Sequence, residues 1–535
     1  MHNFGIIRRR RCRWFPTCGF RGGLLVTTIN LFPGLARMAF IAVAATVLGA
    51  CSSIKPVDLP EEVASEPSSA SLWQSLENIR SDNWNILLND GATALDWRLT
   101  AIDSASQSID LQTFLWTLDT VGSAVIDHLL VAADRGVRVR LLIDDSFLVA
   151  EDELLVALAH HTNIEYRVFN PYKRRSHGFF SREILNLGEF KRLNHRMHNK
   201  LMIVDNRAAI VGGRNLADEY FGLHGEANFR DMELLVGGPI VPGLSASFDT
   251  YWNDNWSFPI DTISHLEPDY VDLDRARRSR NPDELTHRES DADTLAARWE
   301  DVVRQALTGE PILLVDKPPT DNPAAASSAP VQLANQLIDL FDSANEEILI
   351  ISAYLIPSPD LEGAVERAVR RGVRVRILTN SIRSNNHLTA HSAYRNHIDE
   401  LMTGGAELHE VRIDARDRPR YMRPPTDEKS LALHAKVLVI DRDRVFIGSA
   451  NLDPRSMRIN TEVGLLVTSP ALNERVRSVL EPDFLQVNAW SLQFDDRGDV
   501  IWVAGENVQS TQPAASFMQR IEDWFFAHLP IENQM

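Results

Sequence analysis

Little in this 535-residue chain is suited to metal or disulfide chemistry. It holds three cysteines. Cys12 and Cys18 fall in a leader expected to be removed, so Cys51 alone remains, and no disulfide framework or cysteine-built metal centre can form from it. No His/Cys cluster has zinc spacing either. An excess of positive charge is also missing: 55 Lys+Arg stand against 73 Asp+Glu, a net charge of −18. That balance argues against a general nucleic-acid binder, whose phosphate contacts need a basic footprint, and any phosphate site here must be a local exception. A long apolar run is absent from the N-terminus as well, where the stretch MAFIAVAATVLGA covers 13 residues. This suits a signal h-region and is too short for a comfortable membrane span.

Acids are missing from residues 1–50, which carry seven arginines (Arg8, Arg9, Arg10, Arg11, Arg13, Arg21 and Arg37). Basic residues, a short apolar run and then LGACSS describe an export signal, and the last six residues resemble the lipobox of bacterial lipoproteins. The resemblance implies a signal peptide over 1–50, lipidation of Cys51 and a lipoprotein facing the periplasm from the bacterial cell envelope. Ser52 favours the outer membrane over the inner. Met38 is an alternative start, although it would leave Arg37 outside the leader. Taking seven arginines from 55 basic residues leaves 48 against 73 acids, a net of −25 for the mature chain. The Pro/Ser/Glu-rich run after Cys51 reads as a flexible tether over 51–75.

What the chain does contain is a repeat. RGVRVR occurs at 135–140 and again at 371–376, an offset of 236 residues; His198 and His434, and Asn215 and Asn451, are separated by the same offset. Each half has the same order of elements. A β-branched, aromatic run (108–116; 347–355) is followed by apolar residues at helical spacing that stop at Gly136 or Gly372, as a helix C-cap does. A second strand, VRVRLLIDD or VRVRILTN, comes next. Strand, helix, strand predicts a right-handed crossover. The expected fold class is α/β, two duplicated domains, each a mostly parallel sheet sandwiched by helices and related by a pseudo-two-fold axis. The domains are expected over 76–265 and 331–490. A connector and linker occupies 266–330, and a C-terminal segment with an amphipathic helix occupies 491–535.

MHNKLMIVD (197–205) and LHAKVLVID (433–441) each place a histidine and a lysine two residues apart at the start of an apolar run. In a strand such residues share a face. Both runs end in an aspartate, Asp205 or Asp441, and turn through GGRN or GSAN to Asn215 or Asn451. A single copy would read as a surface strand with a histidine bonded to the backbone; two copies at the repeat offset point to a site. H-x-K-x4-D with a trailing G-[GS]-x-N resembles the HKD signature of the phospholipase D superfamily in its two-motif, single-chain form. The surrounding RMHNKLMIVDNRAAIVGGRN, LHAKVLVIDRDRVFIGSANLDPRS, NTEVGLLV and HLPIENQM are similar to the C-type bacterial cardiolipin synthases.

That resemblance implies a phosphatidyltransferase that makes cardiolipin through a phosphohistidine, or alternatively a phospholipase D-type phosphodiesterase that gives phosphatidic acid. A phosphodiester must have its charge neutralised while an in-line nucleophile attacks, which calls for cations and a base working near neutral pH. His198 is the implied nucleophile and His434 the acid/base. Lys200 and Lys436, with Asn215 and Asn451, would clamp phosphoryl oxygens. Ser449, which stands where the first repeat has glycine, is a further phosphate contact. Aligning MELLV (232–236) with VGLLV (463–467) sets Asp231 opposite Glu462. The family supplies carboxylates there to orient the histidines, and Asp231 is assigned to His198 and Glu462 to His434. Asp205 and Asp441, on the opposite strand face, are structural. No metal or other cofactor is implied. The implied partners are phospholipid substrates, phosphatidylglycerol and phosphatidylethanolamine, and a membrane surface, with no nucleic acid; a monomer is expected. The basic, aromatic loops 171–196 and 412–425 precede the two motifs and are expected to rim the site and meet anionic headgroups. SFMQRIEDWFFAHLP is amphipathic, and docking on the core is expected over lying on the membrane.

Overall fold

A computed structural model describes residues 54, 55, 57, 59–146, 152–174, 186–264, 291–320 and 332–528. The leader, its apolar run and Cys51 lie outside the described residues. Among the described residues, no helix is long and apolar enough to cross a membrane.

Six strands of the first repeat are β1 (Ser108–Thr113), β2 (Arg138–Asp144), β3 (Ile164–Phe169), β4 (Leu201–Val204), β5 (Ala208–Gly212) and β6 (Glu233–Gly237). Their counterparts are β7 (Glu347–Ser352), β8 (Arg374–Asn380), β9 (Glu407–Val411), β10 (Lys436–Ile440), β11 (Arg444–Gly448) and β12 (Val463–Thr468). Both sheets run in the same order, β6-β5-β4-β1-β2-β3 and β12-β11-β10-β7-β8-β9. The crossover helices Thr120–Asp134 and Pro359–Arg370 start at Asp119 and Ser358, whose side chains accept from Gly122 and Leu361 N–H. They end at Gly136 and Gly372, both in the left-handed region at φ +93° and +89°, where glycine carries no Cβ penalty. The α/β class and the repeat are therefore as expected.

The sheets are less parallel than expected. Only β1-β2-β3 and β7-β8-β9 are parallel; β4, β5 and β6, like β10, β11 and β12, pair antiparallel. Three residues separate β4 from β5 and β10 from β11, and so short a connection permits only a hairpin. Asp205 and Asp441 sit in those turns at φ +54° and +50°. Asp205 accepts the main-chain N–H groups of Ser106, Gln107 and Ser108, and Asp441 those of Asn345, Glu346 and Glu347. Each fastens the strand that starts beside it.

Three boundaries shift. The tether expected over 51–75 is packed from Glu62 onward: Glu62 pairs with Arg138 and Arg167, and Ser71–Ile79 is a helix with Trp73 and Leu76 buried. The connector is equally built in. Helix Ala292–Gln305 inserts Trp299 among Trp73, Trp97 and Trp84, with ring centroids 5.3, 5.2 and 6.4 Å away. Leu307–Thr308 then extends the first sheet, and Glu310–Val315 pairs with β12 of the second. The second sheet itself runs past residue 490 through Ala489–Phe494, Val500–Ala504 and Asn507–Gln509.

The repeats share one core. Ile203, Val211, Leu234 and Val236 from the first sheet and Val437, Val439, Ile447, Leu465 and Val467 from the second belong to a single buried cluster. Strand Ala227–Arg230 pairs in parallel with Ser430–Leu433, aligning Arg230 with Leu433. Met197 bridges Thr461 in the corresponding way. Two equivalent crossings between two equivalent halves are what a pseudo-two-fold axis requires.

Candidate active site

Each histidine enters from its own repeat and is held by the other. His198 N–H donates to the Thr461 carbonyl and His434 N–H to the Arg230 carbonyl, both at 2.9 Å. The residues that follow those acceptors in sequence are Glu462 and Asp231. This crossing decides the carboxylate partners, and it reverses the assignment made from the alignment. His198 Nδ1 lies 2.9 and 3.1 Å from the two Glu462 oxygens, and His434 Nδ1 lies 2.7 Å from Asp231 Oδ2. Facing an ionised carboxylate, which only accepts, an Nδ1 carries the hydrogen and leaves Nε2 its lone pair.

The His-x-Lys triplets stand at the mouths of their strands, since β4 starts at Leu201 and β10 at Lys436. Lys200 Nζ donates to the His198 carbonyl at 2.6 Å, and Lys436 Nζ donates to the His434 carbonyl. Both lysines are buried. Burial pushes Lys200 down to about 7 and Lys436 to about 8, against the pull of Glu462 and Asp231. The histidines respond to the same forces. Burial first, then the charges of both lysines, hold His198 well below its ordinary value, and burial with Lys436 takes His434 to about 3. That each histidine feels both lysines places all four groups in one electrostatic site. Phe114 stands edge-on to His198 at 4.8 Å, and Tyr220 edge-on to His434 at 4.9 Å.

The two carboxylates are built differently. Burial alone would raise Asp231, yet its bond to His434 and the charges of His434, Lys436 and Arg214 hold it below the usual carboxylate range. It also accepts Met232 N–H at 2.7 Å. Glu462 is pushed up to about 7 by burial, partly offset by Lys200. Ser449, expected on the phosphate, instead donates its hydroxyl to Glu462 and accepts Val463 N–H at 3.0 Å. The hydroxyl's one hydrogen goes to Glu462, so it has none to offer a phosphate oxygen. In the first repeat the matching position is Gly213, where a Cβ would lie 2.4 Å from Asp231 Oδ1. The shorter aspartate leaves no room there for a side chain.

Asn215 and Asn451 are buried in the same region, each with an Oδ1 that lacks a partner. Asn215 Nδ2 donates to the Tyr220 hydroxyl at 2.8 Å. The loop 412–425 departs from expectation, since four of its five arginines are engaged within the protein. Arg412 pairs with Asp414 and Arg416 with Asp417; Arg418 donates to four main-chain carbonyls, and Arg423 donates to Ala92 of the first repeat. Of the loop 171–196, residues 175–185 lie outside the described residues.

Sequence reasoning missed several groups. Asp316 accepts Glu462 N–H and Leu333 N–H at 3.1 and 2.9 Å, and burial raises it to about 7. Asp453 caps the helix Pro454–Arg458 and is raised by burial to about 7. Arg455, whose charge reaches His198, donates to the Asn194 carbonyl at 2.7 Å. The signal for the last two was present in SANLDPRS. For Asp316, inside a Pro-rich linker, there was none.

A family model described as "Cardiolipin synthase, PLD-like domain" matches residues 99–252 and 337–484. The chain is 33% identical over 453 residues to cardiolipin synthase C of Escherichia coli strain K12, covering 82% of this chain and 93% of that one. It is 26% identical over 399 residues to a cardiolipin synthase of Oceanobacillus iheyensis, covering 74% and 68%. Among solved structures, the phosphatidylserine synthase of Haemophilus influenzae Rd KW20 superposes with a TM-score of 0.52 over 79% of this chain and 92% of its own, at 14% identity, a likeness of fold.

Proposed function

From the premise that this chain belongs to the phospholipase D-like family of cardiolipin synthases, we propose that it makes cardiolipin by passing a phosphatidyl group to the headgroup alcohol of phosphatidylglycerol. The chain is a phospholipid phosphatidyltransferase; the acceptor, the donor and the covalent intermediate are the proposal. The observation that carries it is the crossed pair of histidine–carboxylate contacts, which sets two neutral imidazoles and two ammonium groups in one buried site.

In the proposed reaction, His198 Nε2 attacks phosphorus, forming the P–N bond as the bond from phosphorus to the leaving alcohol oxygen breaks. That oxygen takes a proton from His434. The incoming alcohol then gives its proton to His434 as its oxygen attacks phosphorus and the P–N bond breaks, returning His198. Before substrate binds, His434 is held neutral by burial and Lys436. An anionic phosphodiester between the two ammonium groups offsets that repulsion, so binding and proton uptake by His434 are coupled. Each neutral imidazole keeps its Nε2 lone pair at physiological pH, which is what the attacking residue needs.

Lipidation of Cys51 and a periplasm-facing, envelope-anchored location, with the outer membrane favoured, belong to the same proposal; charge pattern and the lipobox-like LGACSS support them. Lipid analysis of cells with and without the protein tests the reaction. Cardiolipin should rise as phosphatidylglycerol falls. Phosphatidic acid without cardiolipin would replace the transferase by a hydrolase. Processing of a Cys51→Ser precursor identical to that of the parent, with no loss of palmitate label, would remove the anchor.

A further inference from the structure

The C-terminal helix Phe517–Ala527 is docked inside out. Surface helices bury their apolar stripe and expose the polar one, whereas here the fully buried residue is Asp523. Its carboxylate accepts from buried His391 Nδ1 at 2.8 Å, from Ser392 Oγ at 2.9 Å and from Arg395 Nη1 at 2.9 Å. Gln519 Nε2 donates to the Ile382 carbonyl and Asn396 Nδ2 to the Ala527 carbonyl. These contacts prevent the helix from rolling. Phe517, Met518, Ile521, Trp524 and Phe525 are left 74, 60, 42, 55 and 54% exposed. At 3.6 residues per turn they fill an arc of roughly 120° opposite Asp523. The sequence reading expected docking on the core over lying on the membrane; the helix docks, and by its polar face.

We infer that this face is a bilayer-docking surface that lays the active-site end of the second repeat against the membrane holding the substrate. The inference rests on the phospholipid reading above. Three observations select a bilayer over a protein partner. The patch is on the order of 600 Å², allowing 150–250 Å² for each aromatic side chain scaled by its exposure, which is at the upper end of the largest patches monomers leave bare, patches that are often functional. A stable dimer buries about 800 Å² on each partner in a complementary shape, and a single convex helix offers neither. A bilayer needs no shape complement, and tryptophan and phenylalanine on an amphipathic helix suit its interface. Position agrees: Ile382, which holds Gln519, lies two residues beyond β8. At the end of β8 the Asn380 side chain bonds both the N–H and the carbonyl of Leu433, the residue before His434.

The test uses the full chain and vesicles of phosphatidylglycerol and phosphatidylethanolamine. The F517E/W524E variant should raise the apparent KM for vesicle lipid roughly tenfold or more, the scale set by losing buried apolar area at an interface. Its turnover of a dissolved short-chain phosphodiester should stay at the parent value, and F517L/W524L should behave as the parent. In vesicles carrying brominated acyl chains, the parent's tryptophan fluorescence should show a quenched share that disappears in W524L. This arm needs no turnover, so it stands even if no phospholipid is consumed. Unchanged vesicle KM together with no Trp524 quenching would overturn the inference. So would an equal loss on the dissolved substrate, which makes the helix structural. Light scattering that shows a parental dimer split by F517E/W524E would assign the face to a second copy instead.

Discussion

Because each histidine takes its carboxylate from the opposite repeat, Glu462→Gln should behave like loss of His198, and Asp231→Asn like loss of His434. His198 Nδ1 meets Glu462 at 2.9 Å and His434 Nδ1 meets Asp231 at 2.7 Å, with both carboxylates fully buried. An amide keeps the shape, yet its NH2 can donate to Nδ1. The imidazole then adopts the other tautomer and loses the lone pair on Nε2. A hydrogen bond to a charged group is worth about 1.5–3 kcal/mol, and a wrong tautomer in a comparable catalytic dyad costs up to ~10⁴ in rate, so the expected loss is roughly 10²- to 10⁴-fold. The assay is rapid-mixing release of p-nitrophenolate from an activated phosphodiester. This leaving group barely needs protonation, so Asp231→Asn should retain a first-turnover burst within about tenfold of the parent and stall at resolution of the intermediate. Glu462→Gln should abolish the burst. In double variants, Glu462→Gln should cost little on top of His198→Ala and its full amount on top of His434→Ala. If Glu462→Gln instead groups with His434→Ala, and Asp231→Asn with His198→Ala, the crossed pairing is wrong.

Three further outcomes can be checked separately. Gly213→Ala puts a Cβ 2.4 Å from Asp231 Oδ1; displacing that carboxylate by about 1 Å should cut kcat/KM on the order of 10²-fold, with intact folding by circular dichroism. The ammonium clamp is present below the pKa values of Lys200 and Lys436, about 7 and about 8. kcat/KM should therefore fall as pH rises through that window; a profile that stays flat from about pH 6 to 9 would contradict the buried-ammonium argument. Trp299→Ala, deep among three other tryptophans, should cost about 3–5 kcal/mol in denaturant unfolding, whereas a loose connector would make it nearly neutral.

How much of this was legible follows from where each feature is encoded. The repeat, the crossover helices with Gly136 and Gly372 at their ends, and the two His-x-Lys strand mouths are local patterns, and they survive intact in the structure. The short antiparallel turns were legible too: Asp205 to Arg207 and Asp441 to Asp443 leave room only for hairpins, so the parallel part of each sheet had to be smaller than expected. Trp73 and Trp299 carried helical apolar spacing within segments whose Pro, Ser and charge content suggested linkers; composition outweighed periodicity there, and wrongly. The carboxylate partners belong to another class. Alignment set Asp231 opposite Glu462, but each is compatible with either histidine until Ala227–Arg230 pairs with Ser430–Leu433, a contact between residues some 200 apart in sequence. No periodicity reports it. Ser449 was misplaced for the same reason, since the neighbour it bonds, Glu462, is set by β11 pairing with β12.

The crossing has a consequence for how the site comes into being. Neither repeat contains a complete histidine–carboxylate pair: the first holds His198 with Asp231, the second His434 with Glu462, and each pair's members serve different sites of the dyad. The active arrangement therefore forms only when the repeats dock, and the apolar residues common to both sheets provide the force for that docking. Burial in the docked core depresses both lysines and both histidines, which keeps the attacking imidazole neutral. Residues that complete the docking belong to this step even when distant from phosphate. Asp316 is one, since it fixes Glu462 through its N–H after the chain has crossed from one sheet edge to the other. The two near-copies are nevertheless not interchangeable. Asp231 is held ionised by its bond to His434 and the charges of His434, Lys436 and Arg214, while burial raises Glu462 towards neutrality even against its Ser449 hydrogen bond. An ionised partner stabilises an imidazolium better than a half-protonated one does, which suits His434 to carrying the transferred proton and leaves His198 as the neutral, attacking imidazole.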